Sequence, residues 1–360
     1  MTMRQHLALP PLSAGPVERM IVPFLPPVDN NNDEKGWSSP RSKVDAYMPA
    51  NSRPERKTLL FLGGYIVSSY PRYFYKELVE RIGESTGRPV VCVSYDDILG
   101  GGGGGGFGDH RKNAEIALEV CREMGIMHSS DVVAHSLGCK IATIMREQGF
   151  GGDDCKCVYV SPNNQELDGS LDYVLGVLRK LGGSERAQEV ERALGSLKML
   201  LRGVGGKFFK FNPNREEFWN ILRRVFRKNK GNLKMVSLEG EGEEGLDEAF
   251  EWVMEIGKEA SEEEKLSLEG VVDLDVQVGG DGTIVVASSS KSSEEEGKSA
   301  TSISVDILDF PHLSPCYFDL ASQFNRASAT GFENNFGKVG KLEMVEEIAS
   351  LVSEFINHQV

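Results

Sequence analysis

The sequence predicts an open α/β sheet, mostly parallel, with helices on both faces and a helical insertion within it. Three observations carry this. Short apolar runs alternate with helix-length amphipathic segments from residue 57 onward. The runs are apolar throughout rather than alternating, as strands covered on both faces are. The rhythm breaks after Pro162 and resumes near residue 267.

Residues 1–56 are rich in Pro, Asn and Ser and read as an extended or partly disordered arm. "KTLLFLGG" then gives a buried strand ending in glycines. "YPRYFYKELVERIGEST" spaces Phe74, Leu78, Val79 and Ile82 at helical intervals. "RPVVCVSYDD" is a second strand, and "DHRKNAEIALEVCREMG" a second helix. "SDVVAHS" is a third strand, "LGCKIATIMREQ" a third helix and "CKCVYVSP" a fourth strand. Residues 165–266 read as a helical cap built from amphipathic segments such as "NREEFWNILRRVFRK", with "GNLKMVSLEG" as a candidate strand among them. "EGVVDLDVQVGG", "SISVDILDF" and a last helix from about Lys341 to Asn357 complete the core, which spans 57–164 and 267–360.

Composition excludes several classes. Apolar residues make up 40% and charged residues 26%, as in soluble globular proteins. No apolar run nears the ~20 residues of a membrane span. The net charge is −14, which argues against nucleic acid as the main partner. Residues Arg202–Lys230 carry nine basic and two acidic residues. They read as a solvated helix face, with peripheral contact to an anionic membrane as the alternative. The six cysteines lack paired C-x-x-C spacing, so neither a zinc site, another metal site nor a disulfide framework is expected. Gly100–Gly106 matches a phosphate-binding pattern only trivially. It lacks the Lys-Ser/Thr of a phosphate loop, and reads as a low-complexity expansion.

In open α/β sheets, ligands bind beyond the carboxyl ends of the strands. The chemistry-bearing residues collect there. In "VVAHSLG", Ser136 stands between a buried strand and a helix, with the small residues Ala134 and Gly138 two positions away on either side. That is the pattern of a nucleophile on a sharp strand-to-helix turn. The Leu137 amide, at the helix start, is one expected oxyanion donor, and the Gly64 or Tyr65 amide in "FLGGYIV" the other. His312 in "DFPHLSP" follows the last strand and is the expected base. His135 faces away on its strand, and His358 is a weak alternative. Asp281, in a Gly-Gly-Asp turn, is the favoured acid, and Glu166 and Asp168 are alternatives. Phe218, Trp219 and Leu222 are candidates for a substrate wall, although helix packing explains them equally well.

These pieces resemble the α/β-hydrolase superfamily. The closest resemblance is to an α/β-hydrolase-like family of cyanobacteria and of plant and algal plastids, itself without an established activity. The matching segments are "LGGYIVSSYPRYFYKELVERI", "VSYDD", "GDHRKNAEIALEV", "AHSLGCKIA", "VYVSPNNQ", "FNPNREEFWNIL", "GGDGTIV" and "HLSPCYFD", spread over residues 58–320. The resemblance implies an α/β-hydrolase fold, supports Ser136 and His312, and suggests a chloroplast location, with the cytoplasm as the alternative. It also marks His110, for which no chemical role follows. The long stretch before Asp281 departs from the pattern and brings in Asp247 as a second acid.

Two functions follow as expectations. One is a serine hydrolase acting without a cofactor on a small-molecule ester or acyl substrate, lipid-derived thioesters included. The other is a non-catalytic binding protein on the same scaffold.

Overall fold

A computed structural model describes residues 37–41, 44–53, 56–64, 68, 71–95, 108–165, 211–226, 232–238, 247–256, 273–278, 284–289, 303–310, 312, 314–316, 318–319, 338–339 and 341–358. Ten strands form one sheet. They are β1 (Trp37–Arg41), β2 (Val44–Tyr47), β3 (Thr58–Leu62), β4 (Val90–Val93), β5 (Ser130–His135), β6 (Cys157–Val160), β7 (Leu233–Leu238), β8 (Asp273–Val278), β9 (Ile284–Ser289) and β10 (Ile303–Leu308). Their order is β1-β2-β4-β3-β5-β6-β7-β10-β9-β8. From β4 to β10 the neighbours are parallel, and both edges are antiparallel. A separate ribbon pairs β11 (Phe318–Asp319) with β12 (Lys338–Val339). Helices among the described residues include α1 (Pro71–Phe74), α2 (Lys76–Thr86), α3 (His110–Glu123), α4 (Leu137–Glu147), α5 (Arg215–Phe226) and α7 (Leu342–Asn357). A further helix, α6, covers 249–256.

The central strands are buried along their whole length because both faces are covered. Side chains alternate between two cores. Leu59, Phe61, Val133, Val158 and Val236 pack with α2 and α7. Leu60, Leu62, Val132, Ala134, Tyr159 and Met235 pack with α3, α4, α5 and α6. Helix α3 starts where Asp109 accepts the Lys112 amide hydrogen, a side-chain cap at its N-terminus. Helix α2 stops at Gly87, whose φ of 63° suits a residue without Cβ.

An ion pair ties the amino ends of the strands together. Arg88 Nη2 lies 2.7 Å from Asp131 Oδ2, with both side chains buried. Arg88 Nε donates to the Lys57 carbonyl at 2.6 Å, and Asp131 accepts the Lys156 amide at 2.9 Å. One buried pair thus links the chain entering β3, β5 and β6. Leaving either charge alone would cost about 3–5 kcal/mol.

The sheet departs from the sequence reading in two places. It begins at Trp37, inside the stretch read as an arm. It also takes β7 from within 165–266, the stretch read as a cap. The run "LKMVSL" is buried throughout and pairs in parallel with both β6 and β10, as a strand covered on both faces requires. Helices α5 and α6 of the same stretch pack into the core on the α4 face. Residues 166–210 and the glycine run lie outside the described residues.

Because β9 and β10 are antiparallel neighbours, with Val286 opposite Ile303, the polar stretch joining them closes a hairpin. Replacing Lys291–Ala300 with a short Gly-Ser linker should move the thermal midpoint by no more than about 4 °C, since loop closure depends weakly on length. Differential scanning calorimetry measures this. A loss of the cooperative transition would show that the stretch packs against the fold.

Candidate active site

Strand β5 passes into α4 through a single residue. Ser136 has φ 54° and ψ −125°, a conformation that costs a non-glycine residue about 1–3 kcal/mol. The surrounding packing holds it there. The Ser136 amide donates to the Val160 carbonyl at 3.0 Å. Two residues on, a Cβ at Gly138 would stand 2.2 Å from the Leu62 carbonyl oxygen and 2.6 Å from that of Gly63. Only glycine lets α4 start this close to β3. On the strand side Ala134 is fully buried, and its methyl is accommodated where a glycine is the commoner choice. The turn sets the serine hydroxyl at the carboxyl edge, at the amino end of α4.

His312 lies beyond the end of β10, and its Nε2 is 2.9 Å from Ser136 Oγ. Its Nδ1 is hydrogen-bonded to Ser161 Oγ. Ser161 follows β6 directly, with φ 46°, and its amide donates to the Val236 carbonyl at 2.7 Å. The Ser161 hydroxyl in turn bonds the Asp247 carboxylate, as does the Ser237 hydroxyl. Asp247 also accepts the Leu238 and Ala249 amides, each at 2.8 Å. The polar run therefore goes from Ser136 through His312 and Ser161 to Asp247. A carboxylate can only accept, so the Ser161 proton points to Asp247 and its oxygen accepts Nδ1–H of His312. That leaves Nε2 bare to accept the Ser136 proton.

Electrostatics agree with that protonation. Burial lowers the His312 pKa well below 6.5, and neighbouring His135 lowers it further, so the ring is neutral near pH 7. Loss of water raises the Asp247 pKa, while the amides of Leu238 and Ala249 and the two serine hydroxyls pull it partly back.

The structure brings Ser136, His312 and Asp247 together. Asp281, the acid favoured from sequence, lies outside the described residues, as do Glu166, Asp168 and Tyr65. Leu137 is the first residue of α4, as expected. Gly64 also lies where expected: a Cβ there would be 3.2 Å from Ser136 Cβ. Its amide, however, donates to Tyr75 Oη at 2.8 Å rather than toward an oxyanion. The physical reason is that Tyr75 is fully buried and its hydroxyl oxygen needs donors in a dry interior. Phe218 and Leu222 are not a substrate wall. Both are fully buried in the core, where the Phe218 ring meets that of Trp252 tilted, with centroids 4.9 Å apart. Trp219 is partly buried against the same cluster. Helix α5 turns its apolar stripe to the sheet, so these rings are consumed by packing.

His110 opens α3, buried beside Phe211 at 4.6 Å between ring centroids. Among the described residues, neither ring nitrogen has a hydrogen-bond partner. The six cysteines are free and buried. Among the described residues, no group of three His, Cys, Asp or Glu side chains is placed to hold a metal ion, and no helix is long and apolar enough to cross a membrane. Sequence reasoning missed Ser161. Its signal was available: a serine directly after the apolar run "CVYV", at the strand edge where ligands bind.

A mostly parallel sheet with helices on both faces and a strained serine between strand and helix define an α/β-hydrolase-type fold. No protein-family model matches the chain, and comparison with curated proteins gives no match. Solved structures similar to it include an esterase/lipase from an uncultured bacterium, at 10% identity over 98% of this chain and 95% of that one, with a TM-score of 0.39. A proline iminopeptidase of Mycobacterium smegmatis matches at 12% identity over 87% and 93%, with a TM-score of 0.37. A structure from work on carboxylesterases of the thaumarchaeon Nitrososphaera gargenis matches at 12% identity over 61% and 86%, with a TM-score of 0.36. Similarities of this size decide nothing about chemistry, which has to follow from the side chains of this chain.

The elbow makes its own prediction. Gly138→Ala forces a methyl into two backbone carbonyls, which cannot move as a flexible side chain would. The variant should lose at least the ~1–3 kcal/mol of an overpacked core site, read from urea unfolding. An unchanged midpoint would mean that α4 can back away from β3.

Proposed function

We propose that the protein is a serine hydrolase cleaving an ester or thioester. Ser136 is the nucleophile, His312 the general base and Asp247 the acid, acting on His312 through the Ser161 hydroxyl. The observation that carries this reading is the 2.9 Å contact between Ser136 Oγ and a neutral His312, made by a serine held at positive φ.

In the first step, Ser136 Oγ attacks the carbonyl carbon and its proton passes to His312 Nε2. The tetrahedral oxyanion collects at the amino end of α4, where the Leu137 amide is a donor. The imidazolium is stabilised by the Ser161 oxygen on Nδ1 and, through it, by Asp247. His312 then gives its proton to the departing alcohol or thiol. A water repeats the sequence on the acyl-enzyme and frees the acid. The neutral ring and the dry surroundings favour the first proton transfer.

One observation favours the second reading, a binding protein on a hydrolase scaffold. The Gly64 amide is committed to Tyr75, which removes one expected oxyanion donor. A fluorophosphonate probe separates the two. Saturable labelling that Ser136→Ala abolishes supports the enzyme, and an inert wild type at high probe concentration supports the scaffold.

Ser136→Ala should cut turnover of a p-nitrophenyl ester by about 10⁶, and His312→Ala by a similar factor. Asp247→Asn should cost about 10⁴. The Ser136 and His312 losses should not add, because the two act as one unit. Full activity in Ser136→Ala would remove the nucleophile reading.

The pH profile follows from the sign of the His312 shift. The base must be neutral, and it is neutral above its pKa. Burial lowers that pKa, so kcat/KM should hold as pH falls through 6.5 and drop only well below it. An acid limb centred at 6.5 or higher in the free enzyme would contradict this.

A further inference from the structure

The residue before the nucleophile is not idle. His135 is fully buried, and each of its ring nitrogens has one polar neighbour. Nε2 is 2.9 Å from the His312 carbonyl oxygen, and Nδ1 is 2.7 Å from Tyr75 Oη. Tyr75 Oη also accepts the Gly64 amide at 2.8 Å and hydrogen-bonds the Cys316 thiol.

Elementary donor–acceptor rules give this arrangement one direction. A peptide carbonyl only accepts, so His135 Nε2 carries a hydrogen. Burial lowers the His135 pKa to about 4, so the ring is neutral and Nδ1 is bare. The Tyr75 hydroxyl must then donate to Nδ1. Its oxygen is left to accept, and the Gly64 amide supplies the hydrogen. Each hydrogen in this run of bonds then has one acceptor.

The ends of this chain of bonds are significant. One end is the backbone of the residue that supplies the base. The other is the glycine whose missing Cβ would stand 3.2 Å from Ser136 Cβ. The middle is the residue adjoining the nucleophile. Ring packing reinforces it: the His135 and His312 rings lie 5.1 Å apart, and those of Tyr75 and His135 5.7 Å apart. Cys316, four residues after His312, meets Tyr75 as well, so the His312 loop is held at two points.

We propose that His135 and Tyr75 are positioning residues, whose one-way hydrogen bonds from Gly64 to the His312 carbonyl hold the base in reach of Ser136. This rests on the serine-hydrolase reading. Neither side chain touches substrate. They act by fixing two loops relative to the elbow, and a displacement of about 1 Å at a reacting group can cost 10²-fold in rate.

The test uses the full chain with a p-nitrophenyl ester and a fluorophosphonate probe. His135→Phe keeps a ring of similar size without hydrogen bonds, and should lower kcat by about 10²-fold with KM little changed. Tyr75→Phe should behave alike, and the double variant should lose little more than either single one. His135→Gln retains a donor and an acceptor and should recover most of the rate. A wild-type rate in His135→Phe, or losses that multiply in the double variant, would overturn the proposal. If the variants fail to fold, the unmodified protein still decides. Its imidazole ¹⁵N spectrum should show one histidine fixed as the Nε2–H tautomer and silent between pH 5.5 and 8, values about 1.5 units or more above its lowered pKa. The Nδ1–H tautomer at His135, or a titration near 6.5, would overturn the proposal. An unmodified protein inert to the probe would sink the hydrolase reading instead, while the spectrum would still test the bonds.

Discussion

The candidate site depends on where parallel strands end. His135 is in register with Val160, Val160 with Val236, and Leu238 with Leu308. β5 and β6 therefore end level with each other, and β7 and β10, also level with each other, run two residues further toward the same edge. Ser136 leaves β5 and Ser161 leaves β6 at equivalent points, and the chain leaving β10 brings His312 back between them. Adjacent strands lie about 4.8 Å apart, a span that one imidazole can bridge.

Backbone strain sits at the same edge. Among the described non-glycine residues, positive φ occurs at Ser136 and Ser161 alone, and both touch His312. The interior makes this tolerable. Both amides remain bonded to the next strand's carbonyl, so each strand continues by one more hydrogen bond through the strained residue. Rigid packing beneath and a hydrogen bond on either side hold the two hydroxyls where a relaxed turn would not. The polar groups here are buried and mutually satisfied, which fixes each proton's position in a way that a wet site could not.

Much of this was legible in the sequence. The buried strands, the elbow around Ser136 and the late histidine are local patterns, and local patterns survive without knowledge of the fold. The buried carboxylate beside Ser161 was not legible in the same way. The rule of looking just after the run before the histidine's strand points to "VDLDVQVGGD", which is β8 with Asp281 after it, and Asp281 lies outside the described residues. In space the parallel neighbour of β10 is β7, because β8 and β9 form an antiparallel addition at the sheet edge. Sequence adjacency and spatial adjacency part company there, and Asp247 is the nearer consequence. The role expected of Gly64 failed for a related reason. Nothing in "FLGGYIV" reveals that a tyrosine eleven residues on will bury its hydroxyl against that amide. Phe218 and Leu222 suit a lid or a core equally by pattern, and only packing against Trp252 separates the two.

The β8–β9 addition has a wider implication. Strands added outside β10 extend the sheet away from the elbow, and the parallel strands from β4 to β10 make their pairings to one another without β8 or β9. Growth at a margin is structurally cheap when the centre is already complete. A lineage can lengthen, acidify or shorten such a margin while the central machinery stays under separate constraint. The same independence makes the β9–β10 connection a natural graft point for a reporter or a second domain.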